Sequence, residues 1–495
     1  MLSKMRVLIF LLLMVDVAFG VKQFHLGKST HGNLGAPAGA ENMQLPPALW
    51  FNQKLDHNNP SDLRTWKQRY FVNDSFYSSK TKGPIFLMIG GEGPADARWM
   101  VKGAWIEYAK KFKALCFQLE HRFYGESRPT QDLSVKNLQY LSSIQALEDL
   151  AYFIAAINDK YRLDKETKWV VFGGSYPGSL AAWARAKYPH LVYAAISSSG
   201  PLKAKVNFQE YFQVVANALR EKTGGEECVK EIREAHKQIE NLVKTNPREI
   251  ENEFKVCKPF SKASKNDMKN FFSSIADDFA DLVQYNEDNR ISSDMRYKNL
   301  TINTVCKMLT QIGLEPAYKK LAQFNSVMLK KSNEDCMDYS YENMIKELSY
   351  INWSLAAGRQ WMWQTCTEFG FYQTSSGEIE MFGDHFSLDF FVQQCEDVFG
   401  KKYNTDFINS AADWTNKKYG GLDISATRIV FVHGSVDPWH ALGITHTEDN
   451  DAPAIFIRGT AHCANMYPSS PEDPTELVVA RVEIQRYLIS WIGLP

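Results

Sequence analysis

The 495-residue sequence lacks most of the signals that assign a chain at a glance. Its eight cysteines include no Cys-x-x-Cys pair, and no histidine stands at zinc-finger spacing, so no metal site is expected. Neither sign of charge is in excess. The 56 Lys and Arg face 57 Asp and Glu, which argues against a nucleic-acid coat or an acidic disordered tail. Beyond the N-terminus no apolar run is long enough to span a bilayer. Gly-x-x-x-x-Gly-Lys is absent, and no Gly-x-Gly-x-x-Gly opens a helix after a strand, so NTP and dinucleotide cofactors are not expected. Collagen-like, coiled-coil and low-complexity readings fail on composition.

What is present is an aromatic-rich globular chain, 44% hydrophobic with 12 Trp. Its length allows roughly three units of about 150 residues. Residues 1–20 read as a secretory signal peptide. Lys4 and Arg6 precede the apolar Val7 to Val17, broken only by Asp16, and Ala18-Phe19-Gly20 offers a cleavage site. Residues 21–43 are polar and without period, a leader or propeptide. Secretory entry favours disulfides over free thiols. Eight cysteines allow many pairings. The nearly equal separations of Cys228 from Cys306 and Cys257 from Cys336 suggest two parallel staples, and Cys366 with Cys395 would close a shorter loop. Cys116 and Cys463 are left as a pair or as buried thiols. Asn73, Asn299 and Asn352 each begin a glycosylation sequon.

From Leu49 onward strands and helices alternate. Continuous apolar runs at Pro84 to Ile89, Ala114 to Leu119, Trp169 to Phe172 and Tyr193 to Ser197 read as buried parallel strands. Helical periodicity lies between them, at Trp99 to Phe112, Ile144 to Tyr161 and Leu180 to Lys187. This is the pattern of an α/β protein with a mostly parallel sheet flanked by helices. From about residue 205 the pattern becomes helical, and Asn266 is the expected N-cap of a helix over Met268 to Tyr285. Strands return at Arg428 to Val432 and Ala454 to Ile457, and a helix over Val478 to Ile492 closes the chain. The expected organisation is a catalytic domain over 44–204 and 397–495, interrupted by a helical cap over 205–396.

Gly173-Gly174-Ser175-Tyr176-Pro177-Gly178 follows a strand and opens a helix, the context of a nucleophile elbow. A serine nucleophile needs a base, and the base needs an orienting carboxylate. In α/β-hydrolases these follow in the order Ser, Asp, His, each after a strand. Asp437 and His462 occupy the two expected loops. His433 and His440 flank Asp437 but follow no later strand, and His385 falls in the insertion. The Tyr176 N–H and the backbone of Gly91 and Glu92, in Gly90-Gly91-Glu92-Gly93, are placed to form an oxyanion hole.

These motifs resemble a known family. The Gly-Gly-Ser-Tyr elbow, the Gly90–Gly93 loop, Glu120-His121-Arg122-Phe123-Tyr124-Gly125-Glu126-Ser127 and Trp363-Gln364-Thr365-Cys366-Thr367-Glu368 look like the serine peptidases that include lysosomal prolyl carboxypeptidase, dipeptidyl peptidase II and thymus-specific serine protease. Ser179 to Arg185 and Asp437 to Gly443 look most like the thymus-specific branch. The resemblance runs from about Leu49 to the C-terminus. It implies an α/β-hydrolase fold with an inserted helical cap, no cofactor or metal, and exopeptidase cleavage of short peptides, often after proline. It carries the triad onto Ser175, Asp437 and His462. Pro177 departs from the small Gly or Ala of close relatives. Trp361, Trp363 and Phe371 are candidate pocket walls, and Glu92 and Glu368 could meet a substrate charge. Core packing and structural hydrogen bonding explain these five equally well. Peptides are the expected partners, with no nucleic acid and no membrane span, and a homodimer stays open. An esterase or lipase on the same fold, or a silent binding protein, are the alternatives. An extracellular and a lysosomal location fit equally.

Overall fold

The structure is a computed structural model that describes residues 24–25, 28–29, 34–37, 39–77, 82–287, 299–313, 315–354, 357–377 and 381–494. The expected signal peptide, and much of the leader, lie outside these residues. Eight strands form one sheet: β1 (Leu49–Lys54), β2 (Thr65–Asn73), β3 (Ile85–Ile89), β4 (Leu115–Leu119), β5 (Trp169–Gly174), β6 (Ala194–Ser198), β9 (Ile429–Gly434) and β10 (Ala454–Ile457), with β7 (Lys205–Asn207) and β8 (Gly370–Tyr372) forming a separate parallel pair. The spatial order is β10-β9-β6-β5-β3-β4-β2-β1. β1 and β2 pair antiparallel, β2 joins β4 antiparallel, and all other neighbours are parallel.

The physical reason for this arrangement is in the strands. Every residue of β3, β4, β5, β6 and β9 is buried, as continuous apolar runs require when helices cover both faces. β2 instead alternates towards its start, as an antiparallel strand with one wetter face does. The helices Ser143–Tyr161 and Tyr176–Lys187 pack with one hydrophobic cluster, and Ala104–Phe112 and Thr475–Ile492 with the other. With a serine elbow at the end of a central strand, this is an α/β-hydrolase fold.

Between β6 and β9 the chain is mainly helical. Its larger helices are Glu210–Thr223, Glu227–Thr245, Lys265–Gln284, Ala317–Ser332, Leu388–Phe399 and Thr405–Tyr419. The last three are not among the helices expected from the sequence. Two local expectations are corrected. Ser264, not Asn266, caps the Lys265–Gln284 helix, because Ser264 Oγ accepts the Asp267 N–H while the Asp267 carboxylate accepts the Ser264 N–H. The helix expected from Trp99 begins at Ala104, because Gly103 at φ 109° breaks the chain after a short 3₁₀ turn. The helical segment is stapled by Cys228–Cys306, Cys257–Cys336 and Cys366–Cys395. Cys116 and Cys463 are buried free thiols.

Candidate active site

Ser175 stands between β5 and the helix it starts, at φ 65° and ψ −134°. A side chain in this region carries backbone strain of about 1–3 kcal/mol, so the surroundings must impose it. They do so through the backbone. The Ser175 N–H donates to Ser198 O at 2.9 Å, and the Gly178 N–H donates to Ser175 O at 2.8 Å. A Cβ on Gly173 would lie 1.9 Å from Pro177 O, so only glycine allows strand and helix to meet here. Pro177 fits because its fixed φ suits the first turn of a helix. It also explains Gly91, where a Cβ would lie 2.2 Å from Pro177 Cγ. Gly91 and Pro177 are therefore one packing solution.

Asp437 and His462 arrive from the loops after β9 and β10. His462 Nδ1 and Asp437 Oδ1 are 2.8 Å apart, and both side chains are fully buried. The Trp439 N–H donates to the same carboxylate oxygen at 3.0 Å. Burial works to raise the Asp437 carboxyl, but His462, with its hydrogen bond, and His433 outweigh it and hold it below the usual carboxylate range. Burial works to lower His462, and the Asp437 carboxylate overcomes this and raises it well above an ordinary histidine. His462 Nε2 has no hydrogen-bond partner among the described residues.

The loop that carries His462 lies against Ser198 and Ser199, at the end of β6 beside Ser175. The Cys463 N–H donates to Ser199 Oγ at 2.9 Å, and Asn465 Nδ2 donates to Ser198 Oγ at 2.8 Å. A Cβ on Gly174 would come within 3.0 Å of Cys463 Sγ, so the residue before Ser175 touches the residue after His462. The other histidines of the region are differently held. His433 is buried, and burial pushes it down to about 4. His440 sets Nδ1 3.2 Å from Gly434 O and its ring against Phe456.

A profile described as serine carboxypeptidase S28 matches residues 53–484. The chain belongs to the S28 serine carboxypeptidase family. A serine-protease relative from Caenorhabditis elegans is 39% identical over 454 residues, 89% of this chain and 87% of its own. The thymus-specific serine protease of Mus musculus is 34% identical over 95% of this chain and 92% of its own. The lysosomal Pro-X carboxypeptidase of Homo sapiens is 28% identical over 92% and 90%. The chain is a serine-type peptidase.

Tyr176 turns its ring towards Trp361 and Phe369, and Phe371 meets Trp439 edge-on at 5.2 Å. Trp361 therefore stands next to Tyr176, and Phe371 next to Trp439. Trp363 does not share those contacts. Its ring packs on Phe399 and Tyr403, and its N–H donates to Leu141 O, so packing explains it. Glu368 is committed internally. It accepts from Ser143 N–H at 2.8 Å, Ser143 Oγ at 2.6 Å and Gln364 Nε2 at 3.1 Å, and burial raises its carboxyl against these bonds. Glu92 is buried in the Gly90–Gly93 loop.

His121, Tyr124, Tyr176 and Gln364, all in quoted motifs, are joined by buried hydrogen bonds that the sequence does not announce. The Tyr176 hydroxyl sits 3.0 Å from His121 Nε2 and accepts Gln364 Nε2 at 3.1 Å. The same Gln364 accepts from Tyr124 at 2.7 Å through its carbonyl. A buried chain thus runs from the elbow tyrosine through Gln364 to Glu368. The Glu120–Ser127 motif is largely scaffolding. Arg122 grips Asp149 with two 2.6 Å hydrogen bonds, and Glu120 accepts from Ser127 and Ala95. The sequons also differ. Asn299 and Asn352 are exposed, whereas Asn73 is half-buried and its amide nitrogen donates to Met100 O at 2.7 Å.

Proposed function

We propose that this chain is a secretory-pathway serine exopeptidase that cleaves short, proline-containing peptides through an acyl-enzyme on Ser175. The observation that carries the reading is the fully buried His462–Asp437 pair, packed against the strained Ser175 elbow. In this mechanism His462 Nε2 takes the Ser175 hydroxyl proton as the serine oxygen attacks the scissile carbonyl. Asp437 holds the imidazole in the tautomer with Nδ1 protonated and stabilises the imidazolium. Tyr176 is the first residue of its helix, so its N–H has no partner within that helix and is available to the oxyanion with the Gly91–Glu92 backbone. His462 then returns the proton to the leaving amine, and water releases the acyl group.

The helical segment over 205–396 is read as a cap that limits access to chain ends. Its three disulfides support passage through an oxidising compartment. The proline preference is supported by the Pro-X carboxypeptidase relative and by the aromatic surroundings of the elbow. The test has two parts. A fluorophosphonate probe should label the wild type and fail on Ser175→Ala; equal labelling of both removes Ser175 as nucleophile. Proline-containing peptides blocked at either end then fix the direction of attack. A required free carboxylate means carboxypeptidase, and a required free amine means dipeptidyl peptidase. Efficient cleavage with both ends blocked ends the exopeptidase reading.

A further inference from the structure

The acid and base loops both lean on one residue of the helical insertion. Gln284 is the last residue of the Lys265–Gln284 helix and is fully buried. Its side-chain carbonyl accepts the Trp439 indole N–H at 2.8 Å and the Tyr211 hydroxyl at 2.8 Å. Its backbone carbonyl accepts the His462 N–H at 3.0 Å. The next residue, Tyr285, sets its ring edge-on to the His462 imidazole at 6.2 Å.

We infer that Gln284 is a positioning residue for catalysis, a clamp by which the insertion holds the Asp437 and His462 loops in register. The inference rests on the triad reading above. Trp439 is the link on the acid side. Its indole N–H is fixed by Gln284, while its backbone N–H donates to the Asp437 oxygen that also meets His462 Nδ1. On the base side, the Gln284 carbonyl is one of the acceptors that a helix C-terminus leaves unpaired, and the His462 N–H satisfies it. That end of the helix carries partial negative charge, which favours the imidazolium formed during acyl transfer. The groups facing His462 are then Asp437, His433, Cys463 and Tyr285.

The residue type matters. Two buried donors from different elements converge on one oxygen, and glutamine supplies that oxygen without a charge beside Asp437. A methionine of similar length would leave the Trp439 indole and the Tyr211 hydroxyl without that acceptor. The Asp437 loop would then lose its outer support while the sheet and the serine elbow stayed intact. A purely structural glutamine would affect melting alone. A positioning glutamine also changes kcat and the acidic limb of the pH profile, because that limb reports the Asp437–His462 pair.

The experiment compares wild type, Gln284→Met, Trp439→Phe and the double variant on one peptide substrate. Gln284→Met is expected to lower kcat by about 10- to 100-fold, with KM changed much less. The acidic limb of kcat/KM should move towards an ordinary histidine. Trp439→Phe should move it the same way, and the double variant should be little worse than the worse single. Wild-type kcat and limb in Gln284→Met, whatever its Tm, would overturn the clamp, as would fully additive losses. If Gln284→Met does not fold, Trp439→Phe decides by the same limb. Ser175→Ala separates the two ideas: full turnover in that variant sinks the triad reading itself, and the clamp with it, whereas an unchanged Gln284→Met sinks the clamp alone.

Discussion

The two halves of the candidate site are held by different physics. The serine half is made by neighbours in sequence. Gly173, Ser175, Pro177 and Gly178 lie within six residues, and their strained turn is fixed by backbone bonds at the sheet and by the close fit of Gly91 to Pro177. The His462–Asp437 half is made by residues distant in the chain. Asp437 and His462 meet through loops whose outer supports, Gln284 and Tyr285, come from the helical insertion. Ser175 thus depends on the sheet, while the His462–Asp437 pair depends on how the helical segment docks.

The sharpest way to break this comparison is at Gly173. A Cβ there has no room against Pro177 O, so Gly173→Ala must open the strand–helix turn. The expected result is a loss of kcat/KM of about 10²-fold or more from misplacement of Ser175, with destabilisation of about 1–3 kcal/mol. Fluorophosphonate labelling rate and urea unfolding measure the two effects. Near-normal labelling would mean that the elbow is not under the constraint described.

A smaller effect separates stability from chemistry in the insertion. Cys257–Cys336 joins two segments that carry no residue of the site, whereas Cys366–Cys395 begins three residues before Phe369, whose ring meets Tyr176, and Cys395 Sγ lies 3.0 Å from the Tyr372 hydroxyl. Replacing the first pair by serine should lower stability by about 2–4 kcal/mol, with kcat at 25 °C within about twofold of wild type. Replacing the second should lower both Tm and kcat. Equal loss of kcat in both variants would mean that the insertion acts on the site as one body, and the comparison would have to be redrawn.

How much of this was legible in the sequence follows the same division. Ser175, Asp437 and His462 stand in loops after apolar strands, and a strand written as a continuous apolar run is readable without any partner. The Gly-Gly-Ser-Tyr elbow is local, so its meaning survives in one dimension. Gln284 carries no such mark. It is one glutamine at the end of an amphipathic helix, and only the fold brings Trp439 and His462 to it. Asn266 is as good a capping type as Ser264, two residues before it, and only geometry chooses between them. Trp363 and Glu368 sit in a motif that marks the family, but their partners Phe399, Tyr403 and Ser143 show that a motif can record packing as well as chemistry.

The mildest probe of the comparison is pH, because both regions contain buried histidines and their signs differ. Burial pushes His121 and His433 down to about 4 and His236, in the insertion, down to about 3. Each is neutral when folded and returns to about 6.5 when unfolded. As pH falls below that value the unfolded chain takes up protons first, so stability falls through the window from 6.5 to about 4, by up to about 1.4 kcal/mol per pH unit for each histidine. His462 runs the other way. Its raised pKa gives a contribution present below the ordinary histidine value and lost as pH rises through its folded value. Below about 6.5 the His462 contribution is constant, so the three lowered histidines alone set the slope and Tm should decline on acidification. Activity should decline over a separate range, because His462 must be neutral to act as base and its midpoint lies above the ordinary value. Replacing His236, which packs between Phe272 and Phe382, by leucine should flatten the Tm slope and leave the acidic limb of kcat/KM where it is. His385 also faces it and is half-buried, so His385→Phe serves as the control for its charge. A Tm that stays level from pH 6.5 to 4 would mean that the buried histidines find protons or partners on acidification. A limb that moves with His236→Leu would mean that the insertion reaches the base by more than the Gln284 contact.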